Sequence, residues 1–319
     1  MMNKKNVLTC AGGGGSLSTG FTMAEILLSL TIIGVVAAIT LPSLTGNINE
    51  RTWNTQRKAL YARFSQAISL MPSLNGYGVD NLDTAAETFV TAGLSKVLKI
   101  NNICDNEHLS DCGFASSYTN MAGSPKILPT TLYELNANFS SAIGHGLGYS
   151  QVDTKAAAFE TVNGESILTF YNPSCQEIME LTAYHTTQQY MCANFIYDLN
   201  GSKGPNTVGK DIGFMSAFQP SDSFIVAPMP IHKISGGYTL SDAIKTCTQT
   251  DSESRLPNWD EMASMYYNRD LLDVDSSGGT YYWTSTMSAG KRWFMNMGTG
   301  IRYPAESSNA SNSIMCIKR

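Results

Sequence analysis

The sequence predicts an α+β protein. A long N-terminal helix crosses a membrane and then packs on an antiparallel sheet, and a second, small α+β body follows. Three observations predict this. No side chain from Ile26 to Leu41 is charged, a run close to the roughly 20 apolar residues of a spanning helix. Two short apolar runs flank Asn163-Gly164, a good two-residue turn. Beyond Pro230 lie Trp259, Trp283 and Trp293, three of the chain's four tryptophans, which is the large apolar material a small core needs.

The chain has 319 residues, enough for two modest domains. Charged residues make up 15% and the net charge is -5. There is no basic stripe or lysine-arginine cluster, so nucleic acid is not an expected partner. Of the seven cysteines, Cys10 lies in the leading segment. The others are Cys104, Cys112, Cys175, Cys192, Cys247 and Cys316, an even set that reads as disulfides in an exported chain. Proximity favours Cys104–Cys112 and Cys175–Cys192, with Cys247 and Cys316 left over, although other pairings stay open. Zinc fits poorly, since no C-x-x-C unit occurs and the four histidines are scattered.

In order, residues 1–20 read as a leader, with Lys4 and Lys5 near its start and a flexible Ala11–Gly15 run. Residues 21–72 read as one helix, of which 21–44 form the transmembrane or filament-core part. Glu25 sits inside its front end, where a charge costs about 2.5–3.5 kcal/mol and marks a functional position. Past Pro42, the residues Leu44, Ile48, Leu60, Phe64, Ile68 and Met71 approximate one buried face, and Pro72 ends the pattern. Gly46-Asn47 is a weak spot. Residues 73–225 form the body. It holds a short helix in Ala85–Ile100, a polar loop between Cys104 and Cys112, a hairpin over 158–170 and a strand over Met191–Tyr197. No chemistry is assigned to Asp105, Glu107, His108 or Asp111. Asp198-Leu199-Asn200-Gly201 through Asp211 is a loop of tight turns. Its Asp198, Asn200, Asn206 and Asp211 offer the oxygen ligands calcium prefers, though not at EF-hand spacing.

Residues 226–319 form the second body. Ser241–Thr248 reads as a helix, and a second helix opens near Pro257. Tyr281–Thr286 is a strand, Arg292–Met297 and Ile301–Tyr303 flank a Gly298-Thr299-Gly300 turn, and Ser313–Ile317 is the last strand. Asp273–Ser277 reads as an Asp/Ser turn, and Trp283 and Trp293 as core.

Gly20-Phe21, then Glu25, then an unbroken apolar helix resembles the N-terminal processing motif of type IV pilins and type II secretion pseudopilins. The resemblance implies a long helix packed on a sheet, the pilin fold. It also implies cleavage after Gly20 by a prepilin peptidase and methylation of Phe21. A contact between Glu25 and the Phe21 amine of a neighbouring subunit would set register. Gly34 and Pro42 fall where the family loosens or kinks its helix. The resemblance places the C-terminal body outside the inner membrane, and the subunit in a surface filament or a periplasmic pseudopilus. The 198–211 loop resembles one that binds calcium in some major pseudopilins; no other cofactor is expected.

Arg255-Leu256-Pro257 before a helix, Tyr282-Trp283-Thr284-Ser285 in a strand and Cys316-Ile317 near the end resemble the bacterial C-type-lectin-like superfamily. That resemblance implies a Cys247–Cys316 bridge. The calcium–sugar tripeptides of true lectins are absent, and fold alone does not give sugar binding. No Ser/His/Asp or Cys/His constellation appears in a catalytic context, so an enzyme is not expected. The expected role is a minor filament subunit that displays a lectin-like domain to a surface glycan or protein. The alternative is a pseudopilin of a secretion or DNA-uptake machine.

Overall fold

Helix α1 runs from Met23 to Asn75 without a break across Gly34. It begins on a capping box. Thr22 Oγ1 accepts from the Glu25 backbone N–H at 3.3 Å, and Glu25 Oε2 accepts from the Thr22 N–H at 2.9 Å and its hydroxyl at 2.8 Å. The helix also passes the expected stop at Pro72, which falls in its last turn. The computed structural model describes residues 22–75, 85–131, 155–171, 190–219, 224–274, 280–288, 290–298, 300–305 and 312–318. Gly20, Phe21 and Cys175 lie outside them, as does the side chain of Pro42.

The expected membrane crossing is corrected. Among the described residues no helix is long and apolar enough to cross a membrane. The apolar run extends from Ile26 to Leu41. Within it, the hydroxyls of Ser29 and Thr31 turn back onto the Glu25 and Leu27 carbonyls, each at 2.7 Å. Glu25 on one side and Ser43, Thr45 and Asn47 on the other bracket it with polar groups. The α+β class with antiparallel sheets stands.

The chain divides into two units, the first ending at Arg51 and the second running from Thr52. The second unit holds two main sheets. The first comprises β1 (Ile100–Cys104), β4 (Ala157–Thr161), β5 (Ser166–Tyr171), β6 (Tyr190–Asp198), β7 (Ile212–Gln219) and β8 (Phe224–Val226), paired antiparallel in that order. The β4–β5 hairpin turns at Asn163-Gly164, with Gly164 at φ 84°. A small ladder of β2 (Ser117–Thr119) and β3 (Pro125–Ile127) stands apart. The second sheet has the order β10 (Ser254–Arg255), β14 (Asn312–Lys318), β11 (Tyr281–Ser288), β12 (Lys291–Asn296) and β13 (Arg302–Pro304). Strand β9 (Met229–Tyr238) also pairs with β14, and β11 meets β14 in parallel.

Helix α2 (Leu240–Thr250) starts on Thr239, whose side chain accepts from the Asp242 N–H. Helix α3 (Trp259–Tyr267) starts on a capping box of Asn258 and Glu261, so Pro257 precedes the cap instead of opening the helix. The Ala85–Ile100 stretch is helical in three pieces: Ala86–Thr88, a π-helical Phe89–Leu94, and Ser95–Val97.

Side-chain alternation along the strands builds a layered interior. Phe195, Tyr197 and Met215 face one way and pack with Leu60, Phe64, Ile68 and Met71 of α1. Ile196, Phe214 and Phe218 face the other way and pack with Met262, Tyr266 and Tyr267 of α3 and with Met315 and Ile317 of β14. The opposite face of the second sheet, with Trp283, Ile314 and Cys316, is covered by Ala243 and Cys247 of α2. The first sheet is therefore buried on both faces, and residues from 73–225 and 226–319 share one core.

Candidate functional site

Three places carry the residues singled out by the sequence. At the start of α1, Glu25 is fully engaged with Thr22, and these hydrogen bonds hold its carboxyl below the usual range. Its observed partner is local. The proposed partner, the Phe21 amine, lies outside the described residues. Thr22 was not singled out, although Thr22-x-x-Glu25 just ahead of an apolar run is itself a cap signature. Behind the cap, Ile26, Leu27, Leu28, Leu30, Ile32, Ile33, Val35 and Val36 are all exposed, from 49% at Ile26 to 64% at Ile33. They cover every side of the helix, and Gly34 adds no side chain to the stretch.

The second place is the loop between β6 and β7. The structure brings Asp198, Asn200, Asn206 and Asp211 together. Both Asp211 oxygens are taken: Oδ2 accepts from the Asn206 N–H and Oδ1 from the Thr207 N–H, each at 2.8 Å. Asp198 Oδ1 accepts from the Asn200 N–H at 3.1 Å. With its amide oriented to satisfy both ends, Asn206 donates to Asp198 Oδ2 and to the Gly201 carbonyl, each at 3.3 Å. The Asn200 amide donates to the Gly204 carbonyl at 2.7 Å. Burial pushes the Asp198 carboxyl up to about 7; the Asn200 and Gly201 N–H groups oppose the shift and neighbouring Asp211 adds to it. Arg57 of α1 closes the loop from outside, donating to the Gly209 carbonyl at 2.6 Å and to that of Lys210. The Asp198 and Asp211 carboxylate oxygens thus accept N–H groups of the loop itself. No cluster of three or more His, Cys, Asp or Glu side chains able to hold a metal occurs among the described residues. The loop is a structural clasp between two strands and α1.

The third place is the C-terminal body. Cys247 and Cys316 are bridged, tying α2 to β14. Cys104 and Cys112 are bridged as well, and Cys192 is disulfide-bonded. Trp283 is fully buried and its indole N–H donates to the Tyr238 carbonyl at 2.7 Å. Trp293 is buried edge-on against Trp259, with ring centroids 5.2 Å apart. Neither tryptophan presents a stacking face to solvent. Asp273 takes a left-handed conformation at φ 51° after a short helical turn. Elsewhere, His108 and Asp105 form an exposed pair at 2.8 Å, with no nucleophile hydrogen-bonded to it among the described residues. No protein-family model, curated protein or solved structure matches the chain.

Proposed function

We propose that this chain is a non-enzymatic filament subunit of the type IV pilin or pseudopilin kind. Its N-terminal helix packs against the helices of other copies, and the unit beginning at Thr52 is displayed for binding. The observation that carries the reading is the apolar surface of α1 between Met23 and Val36, exposed on every side. A helix apolar all round is normally buried, and exposed patches of this kind mark association sites. Burying it stabilises an assembly by roughly 25 cal/mol per Å² of apolar surface. Neighbouring helices of other copies offer that cover, and beyond Glu25 the stretch carries no charge to desolvate. The processing motif at Gly20-Phe21 supports maturation by a prepilin peptidase. The disulfides support export to an oxidising compartment, and so a cell-surface filament or a periplasmic pseudopilus.

Immunogold electron microscopy of sheared surface filaments, with an antibody against residues 236–319, tests this. Gold on filaments is expected in the wild type and is lost in Ile33→Asp, which places a charge in the packed helix. Gold confined to the envelope selects the pseudopilus form, and no self-association in either place overturns the proposal.

A further inference from the structure

Three adjacent strands of the second sheet carry aromatic rings on one face. Trp283 of β11 stands opposite Phe294 of β12, Phe294 stands opposite Tyr303 of β13, and strand alternation puts Tyr281 on the side of Trp283. Helix α2 covers Trp283, whereas Tyr281, Phe294 and Tyr303 stay half-buried. These rings hold one another. Phe294 and Tyr303 are stacked with centroids 5.7 Å apart, and Tyr281 meets Phe294 and Tyr303 edge-on at 5.4 and 5.7 Å. Neither phenol hydroxyl has a hydrogen-bond partner among the described residues. Burial, and then neighbouring Tyr281, raise the Tyr303 hydroxyl above its ordinary range, so it stays a neutral donor. Arg292, two residues before Phe294, is half-buried on the same face. Its guanidinium donates to the Ser285 carbonyl at 2.8 Å and makes no ion pair among the described residues. Arg292 borders an apolar recess of about 200 Å³ against α2, and among the described residues no carboxylate lines it. Arg255, the other cation of that recess, is held by Glu261 through bonds of 2.6 and 2.7 Å. Arg302 of β13 lies on the opposite face, over the Trp259 ring. Asp242, at the start of α2, accepts from the Thr239 hydroxyl at 2.7 Å.

The face therefore offers ring surface, two uncommitted hydroxyls and one guanidinium without a carboxylate. A wholly apolar partner would strip water from these polar groups and give no hydrogen bond in exchange. A ligand with an apolar ring face, hydroxyls and one carboxylate answers every feature. Its carbon face lies on the aromatic rings, its hydroxyls meet the phenols, and its carboxylate meets the planar fork of Arg292. Rings already fixed by one another lose little freedom on binding. We propose that this face binds a glycan through a terminal uronic acid, whose ring lies on Phe294 and Tyr303 and whose carboxylate pairs with Arg292. The proposal deepens the function above and rests on the reading of the unit beginning at Thr52 as the displayed part of the subunit.

Calorimetric titration of the full chain with two trisaccharides of the same linkage, one ending in glucuronic acid and one in glucose, tests it. Saturable binding of the acidic trisaccharide is expected, with the neutral one about ten-fold weaker for want of the charge-assisted bond to Arg292. Arg292→Gln should lower the acidic trisaccharide to the level of the neutral one. The double variant Tyr281→Phe, Tyr303→Phe keeps the rings and removes only hydroxyls that bond nothing among the described residues. It should leave the melting temperature unchanged and weaken both trisaccharides by about ten-fold. No binding of the acidic trisaccharide, or binding untouched by both sets of substitutions, overturns the site. Equal affinity for the two trisaccharides in the wild type overturns the pairing with Arg292. Filament labelling separates the two readings. Labelled filaments without sugar binding overturn the site alone, and sugar binding without self-association overturns the filament role alone.

Discussion

Asp198 shows how a single side chain carries a solution property. It is almost wholly buried beside Asp211, and the N–H groups of Asn200 and Gly201 only partly replace lost water. Its carboxyl is pushed up to about 7, above the ordinary 3.8. The folded state therefore holds the proton more tightly than the unfolded chain. Asp198's contribution to stability is complete below pH 3.8 and is lost as pH rises through about 7. Thermal unfolding followed by circular dichroism should give a melting temperature that falls by several degrees from about pH 5 to about pH 8. Asp198→Asn should flatten that slope; an equal slope in the variant would show that another group titrates. The grouping of Asp198, Asn200, Asn206 and Asp211 was legible from the density of turn residues around them. Their hydrogen-bond partners within the loop were not, because turn composition alone does not say which N–H each carboxylate will accept.

At the level of the strand, Gly213 of β7 sits opposite Tyr197 of β6, and the Tyr197 ring lies across the position a side chain would take. A Cβ on Gly213 would meet Tyr197 Oη at 2.2 Å and Cζ at 2.4 Å. Tyr197 is buried beneath α1, so it has little room to yield. Gly213→Ala should cost about 1–3 kcal/mol, the usual penalty of an overpacked site, read as a shift of the urea unfolding midpoint. Elements marked by local chemistry were legible: the β4–β5 turn at Asn163-Gly164, strands β6 and β11, and helix α2. Strands β1, β7 and β9 were not. Strand β7 carries Gly213 and Ser216 amid its apolar residues, and β9 carries Pro230, Gly236 and Gly237. Their pairing comes from distant partners and not from their own propensity. Helix α1 was legible in type.

For the whole molecule, the decisive feature is the core shared across the expected boundary at residue 226. Ser216 and Ser264 hydroxyls lie 2.7 Å apart, and the amides of Asn194 and Asn268 bond reciprocally at 2.9 Å, all in a buried setting. The sequence could not show this junction. A strand such as Phe195-Ile196-Tyr197, apolar on both sides, does not announce what covers each face. A chain ending after Val226 would expose Ile196, Phe214 and Phe218 and strand the Asn194 and Ser216 polar groups. It should be recovered as aggregate and not as a folded body, as size-exclusion chromatography after mild expression can check; a monodisperse, cooperatively unfolding product would refute the shared core. The placement of β14 has a consequence in time. This strand follows its partners β9 and β11 in the chain, lies between them and supplies half of the Cys247–Cys316 bridge. The second sheet has no centre until residues 312–318 emerge. Until then β9 and β11 lack the strand that joins them, and their unpaired edges are exposed to aggregation.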